Sequence, residues 1–272
     1  MKFDTQGWYL ERGHWGALDG ILIAPRASAP SMLVTLCHGF GAPGTDLVSL
    51  TEELVPALSD DLAPPAFLFP EGPIDLEEMY GYPGARAWWP LNMAMLAELA
   101  AADAFSALED QVPEGMDSAR NKLVESISAC AASKSWDSID HVLGGFSQGA
   151  MLAVDTALRG RGLITRGVII WSGAMICKSV WSAAQSEGAI TQPVDQSLPV
   201  DQSLPVDSSL PVYQSHGRQD PILPISSGRA LYRFLSEMGC DIEMDEFDGP
   251  HTIGLEGIRG AARLIERALA AR

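Results

Sequence analysis

The apolar and polar positions of the chain fall into short apolar runs separated by longer amphipathic ones. Gly20-Ile21-Leu22-Ile23-Ala24-Pro25 predicts a strand stopped by proline, with Trp8 to Leu10 able to pair with it. Ser31–Cys37 is a continuous apolar run of strand length, as expected of a strand covered on both faces. Ala66–Pro70, Ile139–Gly144 and Gly167–Trp171 read the same way, and Val212–Gly217 adds a further strand. Asp241–Phe247 alternates instead, like an edge strand. Helical spacing occupies Leu47 to about Leu58, Asn92 to about Leu108, Asp117 to about Ala132, the run after Ser147 to about Leu158, Pro224–Met238 and Ile253–Arg272. In the last of these, Ile258, Ala262, Ile265 and Leu269 share one face. Strands and helices alternating in this order predict an α/β fold: a mostly parallel, doubly wound sheet with helices on both faces.

Two segments break the alternation. Glu71 to Pro90 is an irregular, proline-rich loop carrying Trp88-Trp89. Farther on, DQSLPV occurs at Asp195–Val200 and again at Asp201–Val206, with DSSLPV at Asp207–Val212. Three hexads are too few for a solenoid, and a proline in each blocks a continuous helix or a central strand. The first two read as a duplicated surface loop. The third runs into the strand at Val212.

The chain's 272 residues, 47% of them hydrophobic, can bury one large core, so a single domain over 1–272 is expected. No apolar run reaches membrane-span length. The first residues lack a signal-peptide core, since Asp4, Gln6, Glu11 and Arg12 interrupt it. The four cysteines (Cys37, Cys130, Cys177, Cys240) are widely spaced and read as free thiols, which agrees with a cytoplasmic setting. A net charge of −17 disfavours nucleic acid and anionic lipid as partners. Either a monomer or a homodimer is compatible with the sequence.

The candidate chemistry centres on Gly145-Phe146-Ser147-Gln148-Gly149, a G-x-S-x-G pentapeptide between a predicted strand and a predicted helix. That context makes Ser147 a candidate nucleophile on a tight strand-to-helix turn. A serine hydroxyl needs a base, and the base needs a group that orients it. Of the five histidines, His38, His216 and His251 lie at strand or loop ends where functional groups of parallel sheets gather. The nucleophile-elbow order, serine then acid then histidine, selects His251. His38 and His216 are then expected to organise their loops through ring-to-backbone hydrogen bonds. For the acid, Asp220 directly follows a strand, with Asp248 as competitor. The oxyanion would meet the backbone N–H of Gln148 and of Phe40, or of Gly41 behind it. Trp88, Trp89 and Met93, with Leu91 and Met95, are candidates to line an apolar acyl slot or else ordinary core. No metal-ligand cluster and no nucleotide-binding glycine motif occurs, so no cofactor is expected.

Together, HGFG at His38–Gly41, GFSQGA at Gly145–Ala150, SHGRQDP at Ser215–Pro221 and GPH at Gly249–His251 resemble the phospholipase/carboxylesterase family of α/β-hydrolases. That family includes acyl-protein thioesterases and small bacterial carboxylesterases. The resemblance implies the α/β-hydrolase fold, a Ser147–Asp220–His251 triad, Phe40 and Gln148 as oxyanion donors, and cofactor-free hydrolysis of a small-molecule ester or thioester. A carboxylesterase for small to medium acyl chains is the leading expectation. A thioesterase or lysophospholipase is the alternative, and a catalytically silent binding module the remote one. The stretch from about Ser179 to Leu210 and the loop at Trp88–Pro90 look elaborated relative to compact members.

Overall fold

The computed structural model describes residues 7–59, 61–136, 138–186 and 210–271. Its strands and helices come in the order β1 (Trp8–Trp15), β2 (Leu18–Pro25), β3 (Met32–Cys37), α1 (Thr51–Ala57), β4 (Ala66–Pro70), β5 (Ile74–Asp75), α2 (Leu76–Tyr80), β6 (Arg86–Ala87) and α3 (Met93–Ala101). Then follow α4 (Met116–Ser133), β7 (Asp140–Phe146), α5 (Gln148–Arg159), β8 (Thr165–Trp171), α6 (Lys178–Ser186), β9 (Pro211–Gly217), α7 (Ile225–Glu237), β10 (Asp241–Phe247) and α8 (Leu255–Ala270). Eight strands form one sheet in the order β1-β2-β4-β3-β7-β8-β9-β10. From β4 to β10 every pairing is parallel, while β1 and β2 extend the sheet antiparallel. This is the expected mostly parallel, doubly wound sheet.

The continuous apolar runs are explained by burial from both sides. Along β3, Met32, Val34 and Leu36 pack on the face covered by Leu54 of α1 and by Ala261, Leu264, Ile265 and Leu269 of α8. Leu33 and Cys37 face the opposite layer, with Leu123 of α4, Leu152 of α5 and Leu231 of α7. Side chains alternate between faces with period two, so both faces must be apolar when both are covered. The alternating β10 is an edge strand, paired only with β9. Cys37, Cys130 and Cys177 are buried, Cys240 is half-buried, and all four are free thiols. No helix among the described residues is long and apolar enough to cross a membrane.

The run from Asn92 to Leu108 is not one helix. Asn92 caps α3, its side chain accepting from Met95 N–H at 3.0 Å, but the helix stops at Ala101. Asp103 takes φ 50°. Ala104 N–H donates to Leu99 O (2.9 Å) and Asp103 N–H to Ala100 O (3.2 Å), the paired bonds of a Schellman stop. Sequence alone missed this because the left-handed residue is Asp rather than Gly. A 3-10 turn, Phe105–Leu108, follows and carries Phe105 and Leu108 into the interior. The helix expected at Leu47–Leu58 likewise opens as a 3-10 turn, Val48–Leu50, before α1.

Helix α6 was not anticipated, since its sequence was read as part of an insertion. Trp181 anchors it, its indole N–H donating to Asp155 Oδ1 at 2.8 Å. Asp155 is fully buried and its charge is met by Arg120 (2.9 Å) and Arg159 (2.9 Å), which ties α4, α5 and α6 together. The first two hexads and the first half of the third lie outside the described residues. Leu210 precedes β9, and Pro211 and Val212 open it.

Candidate active site

Strand β7 ends at Phe146 and α5 starts at Gln148, leaving Ser147 alone at the turn with φ 54° and ψ −116°. A non-glycine residue in that region costs about 1–3 kcal/mol, which the surrounding contacts must offset. The Ser147 N–H donates to Trp171 O on β8 at 2.9 Å, and its carbonyl accepts from Ala150 N–H at 3.1 Å. The flanking glycines are required by close approach. A Cβ on Gly145 would sit 2.5 Å from Cys37 O, and one on Gly149 would collide with that same carbonyl. Only without side chains there can the end of β3 lie against the turn.

Asp220 follows β9 directly. Its Oδ1 accepts from Ile222 N–H and Leu223 N–H, each at 2.9 Å, and its Oδ2 accepts from His251 Nδ1–H at 2.6 Å. His216 Nε2–H donates to Leu223 O at 2.7 Å and also lies 3.4 Å from Asp220 Oδ2. Burial alone would raise the Asp220 carboxyl. Hydrogen bonds from His216 and His251, the His251 charge and the Leu223 N–H outweigh it and hold the group well below the usual carboxylate range. The loop bearing His251 crosses the end of β9 at Gly217, where a Cβ would collide with the carbonyls of Gly249 and Pro250. Gln219 N–H to Gly249 O (3.0 Å) and Arg218 N–H to Phe247 O (2.8 Å) fasten this crossing. The competing acid, Asp248, turns outward and pairs with Arg218 at 2.9 Å.

The Phe146 ring packs on the His251 ring with centroids 4.6 Å apart. Ser147 and His251 line one cleft of about 380 Å³, but their side chains are not hydrogen-bonded to each other. Such contacts commonly tighten only when substrate is bound. Near the nucleophile, the Gly39–Gly41 loop leaves the end of β3, which pairs in parallel with β7. Gly41 N–H is taken by Arg86 O at 2.9 Å, so of the two donors considered in this loop only Phe40 remains. Among the described residues no hydrogen bond uses Phe40 N–H or Gln148 N–H. Arg86 clamps the loop from outside: its backbone N–H donates to Ala42 O (3.1 Å), while its guanidinium pairs with Glu71 (3.0 Å) and Asp75 (3.0 Å).

His38 and His216 bond to backbone. His38 Nδ1–H donates to Gly39 O at 2.8 Å, and its Nε2 accepts from Gly72 N–H at 2.9 Å, which requires a neutral ring. Burial, aided by the Arg86 charge and opposed by the Gly39 bond, lowers His38 to about 4. His141, on β7 away from the site, is lowered to about 4 by burial against the nearby Asp140 charge. Unfolded histidines titrate near 6.5, so from there down to about 4 the unfolded chain binds more protons. Stability should therefore be full above pH 6.5 and fall as pH drops toward 4, by up to about 3 kcal/mol per histidine. Urea midpoints that stay level from pH 7.5 to 5 would contradict this.

Trp89, Leu91, Met93 and Met95 line the cleft, over a buried apolar floor of Leu96, Phe105, Leu108, Met151 and Ile176. Trp88 does not: it lies behind the lining, its indole N–H donating to His38 O at 2.9 Å. The Gln148 side chain has a role that sequence reasoning missed. Its Oε1 accepts from Trp88 N–H (2.9 Å) and its Nε2–H donates to Trp89 O (2.8 Å), so it binds the tryptophan loop to the elbow. Gln148→Met keeps the backbone N–H but orphans two buried peptide groups. It should cost about 2–3 kcal/mol in urea unfolding and blur chain-length preference. The Arg86 clamp was also missed, and only a buried glutamine beside the serine could have hinted at the first of these ties. Among the described residues no group of three or more His, Cys, Asp or Glu could hold a metal ion.

Comparison with known proteins agrees with this fold. The chain is similar in structure to esterase PE8 (23% identity, TM-score 0.68, covering 93% of this chain and 99% of that one). It is also similar to a Bacillus cereus carboxylesterase (16%, TM-score 0.60, 92% and 94%) and to Zea mays acyl-protein thioesterase 2 (17%, TM-score 0.61, 91% and 97%). At these identities the likeness speaks for the fold. No curated protein matches the sequence. A model of the phospholipase/carboxylesterase family, however, matches residues 18–268. The chain therefore belongs to the phospholipase/carboxylesterase family, whose members are esterase- and thioesterase-type α/β-hydrolases.

Proposed function

We propose that the protein is a serine carboxylesterase acting on small to medium apolar acyl groups through an acyl-enzyme. The observation that carries this reading is the 2.6 Å bond between Asp220 and His251, with His251 and Ser147 opening on one apolar cleft. The Ser147 hydroxyl attacks the substrate carbonyl carbon while His251 Nε2 takes its proton. Asp220 keeps the other ring nitrogen protonated and stabilises the imidazolium. The oxyanion is held by the N–H groups of Phe40 and Gln148, each such donor contributing roughly 10²–10³ in rate. Collapse expels the alcohol, which receives its proton from His251. Water then repeats the sequence on the acyl-enzyme and releases the acid.

The cleft volume of about 380 Å³ lies at the small end of the roughly 300–1,000 Å³ typical of small-molecule sites, which supports a short or medium chain. A thioester in place of the ester would use the same groups. A cytoplasmic setting belongs to the same proposal and is supported by the four free thiols. The test has two arms. A fluorophosphonate probe should label Ser147 in the wild type, and failure to label would favour a silent binding module. p-Nitrophenyl esters and acyl thioesters of matched chain length, run side by side, should show the higher kcat/KM on the ester.

A further inference from the structure

The cleft is uneven in charge. Among the described residues lining it, Glu114 is the sole carboxylate, His251 is the other titratable side chain, and no lysine or arginine contributes. Glu114 is exposed at the rim, on the turn whose Gly115 takes φ 94° and backs onto Trp89, where an added Cβ would lie 3.4 Å from the Trp89 Cβ. Asn92 brings no free acceptor, since its side-chain oxygen takes Met95 N–H at 3.0 Å.

The arginines on the two flanking loops are committed elsewhere. Arg86, beside Phe40, pairs with Glu71 and Asp75, and Arg218, beside Asp220, pairs with Glu246 and Asp248. In sequence, no lysine or arginine occurs from Ser179 to Gly217, a stretch that contains Glu187, Asp195, Asp201 and Asp207. The whole chain carries a net charge of −17. An anion entering the cleft thus meets uncompensated negative charge at the rim and in the long-range field, with no cation there to receive it. A cation meets the reverse.

We infer that this site selects substrates by charge, Glu114 being a specificity-determining residue: it favours esters bearing a positive group over neutral isosteres and rejects anionic ones. The inference rests on the serine-esterase reading above. It narrows the substrate class to hydrocarbon acyl groups on neutral or cationic partners, and it disfavours phosphorylated carriers such as coenzyme A.

The experiment compares three hexanoyl substrates on the purified full chain: the choline ester, the uncharged 3,3-dimethylbutyl ester of the same shape, and hexanoyl-coenzyme A. At low ionic strength the choline ester should exceed its neutral isostere in kcat/KM by about fivefold, as a charge a few ångströms from a carboxylate in water predicts. The thioester of the anionic carrier should fall below both. The advantage should shrink toward unity as salt rises to 0.5 M, where screening is strong. Glu114→Gln should at least halve the choline-to-isostere ratio, and Glu114→Lys should invert it. A ratio near one at low salt, or one that Glu114→Gln leaves unchanged, overturns the inference while hydrolysis of the neutral ester leaves the esterase reading standing. If the neutral ester is not hydrolysed and the fluorophosphonate does not label Ser147, the esterase reading itself has failed.

Discussion

Ser147→Ala is expected to lower kcat on a p-nitrophenyl ester by about 10⁴–10⁶-fold, leaving only the catalysis that binding and the oxyanion donors supply. The fold should survive, because the Ser147 hydroxyl has no hydrogen-bond partner among the described residues and alanine keeps the Cβ. A second substitution separates structure from chemistry. At φ 54° and ψ −116° a glycine relieves backbone strain that any other residue bears. Ser147→Gly should therefore be as inactive as the alanine variant yet about 1 kcal/mol more stable to urea. An active Ser147→Ala would remove the nucleophile from the proposal altogether. An inactive but destabilised Ser147→Gly would mean the turn is held differently from the geometry above.

Asp220→Asn is the other change of large expected effect, and the hydrogen bonds around Asp220 dictate its direction. Two backbone N–H groups, from Ile222 and Leu223, already bond to Oδ1. An asparagine must place its carbonyl oxygen there, since an amide NH₂ in that position would face two donors. Its NH₂ is then forced toward His251 Nδ1 and His216 Nε2. Facing a donor, the His251 ring must shift its proton to Nε2, the atom that has to accept the Ser147 proton. A loss of about 10³–10⁴ in kcat follows, with KM little changed. Asp248→Asn, on an exposed carboxylate paired with Arg218, should alter kcat less than twofold. Equal effects from the two variants would show that His251 takes its orientation from elsewhere.

Much of the architecture was legible because burial on two faces writes itself as continuous apolar runs. That is why β3, β4, β7 and β8 could be located from Ser31–Cys37, Ala66–Pro70, Ile139–Gly144 and Gly167–Trp171. Ser147, just past the end of one such run, was readable for the same reason, whereas Asp220 and His251 were read from loop position and chain order. Local geometry that depends on one unusual residue was not. The stop after Ala101 turns on Asp103 adopting φ 50°, a conformation an aspartate tolerates without advertising it. Helix α6 escaped notice because its anchor, Trp181, meets Asp155 from another helix 26 residues away.

The amino-acid order by itself determined which segments become strands and helices, and that Ser147 stands on a tight turn between one of each. Those outcomes follow from short-range sterics and from hydrophobic period, both properties of neighbouring residues. Tertiary structure alone decided which acid meets His251, that Gly41 N–H is consumed by Arg86, that Trp88 supports the cleft from behind while Trp89 lines it, and that Gln148 joins elbow to acyl wall. Each is a hydrogen bond or exposure set by groups distant in the chain. A buried polar group takes whatever partner the packed interior brings within about 3 Å, and no local pattern records which partner that is.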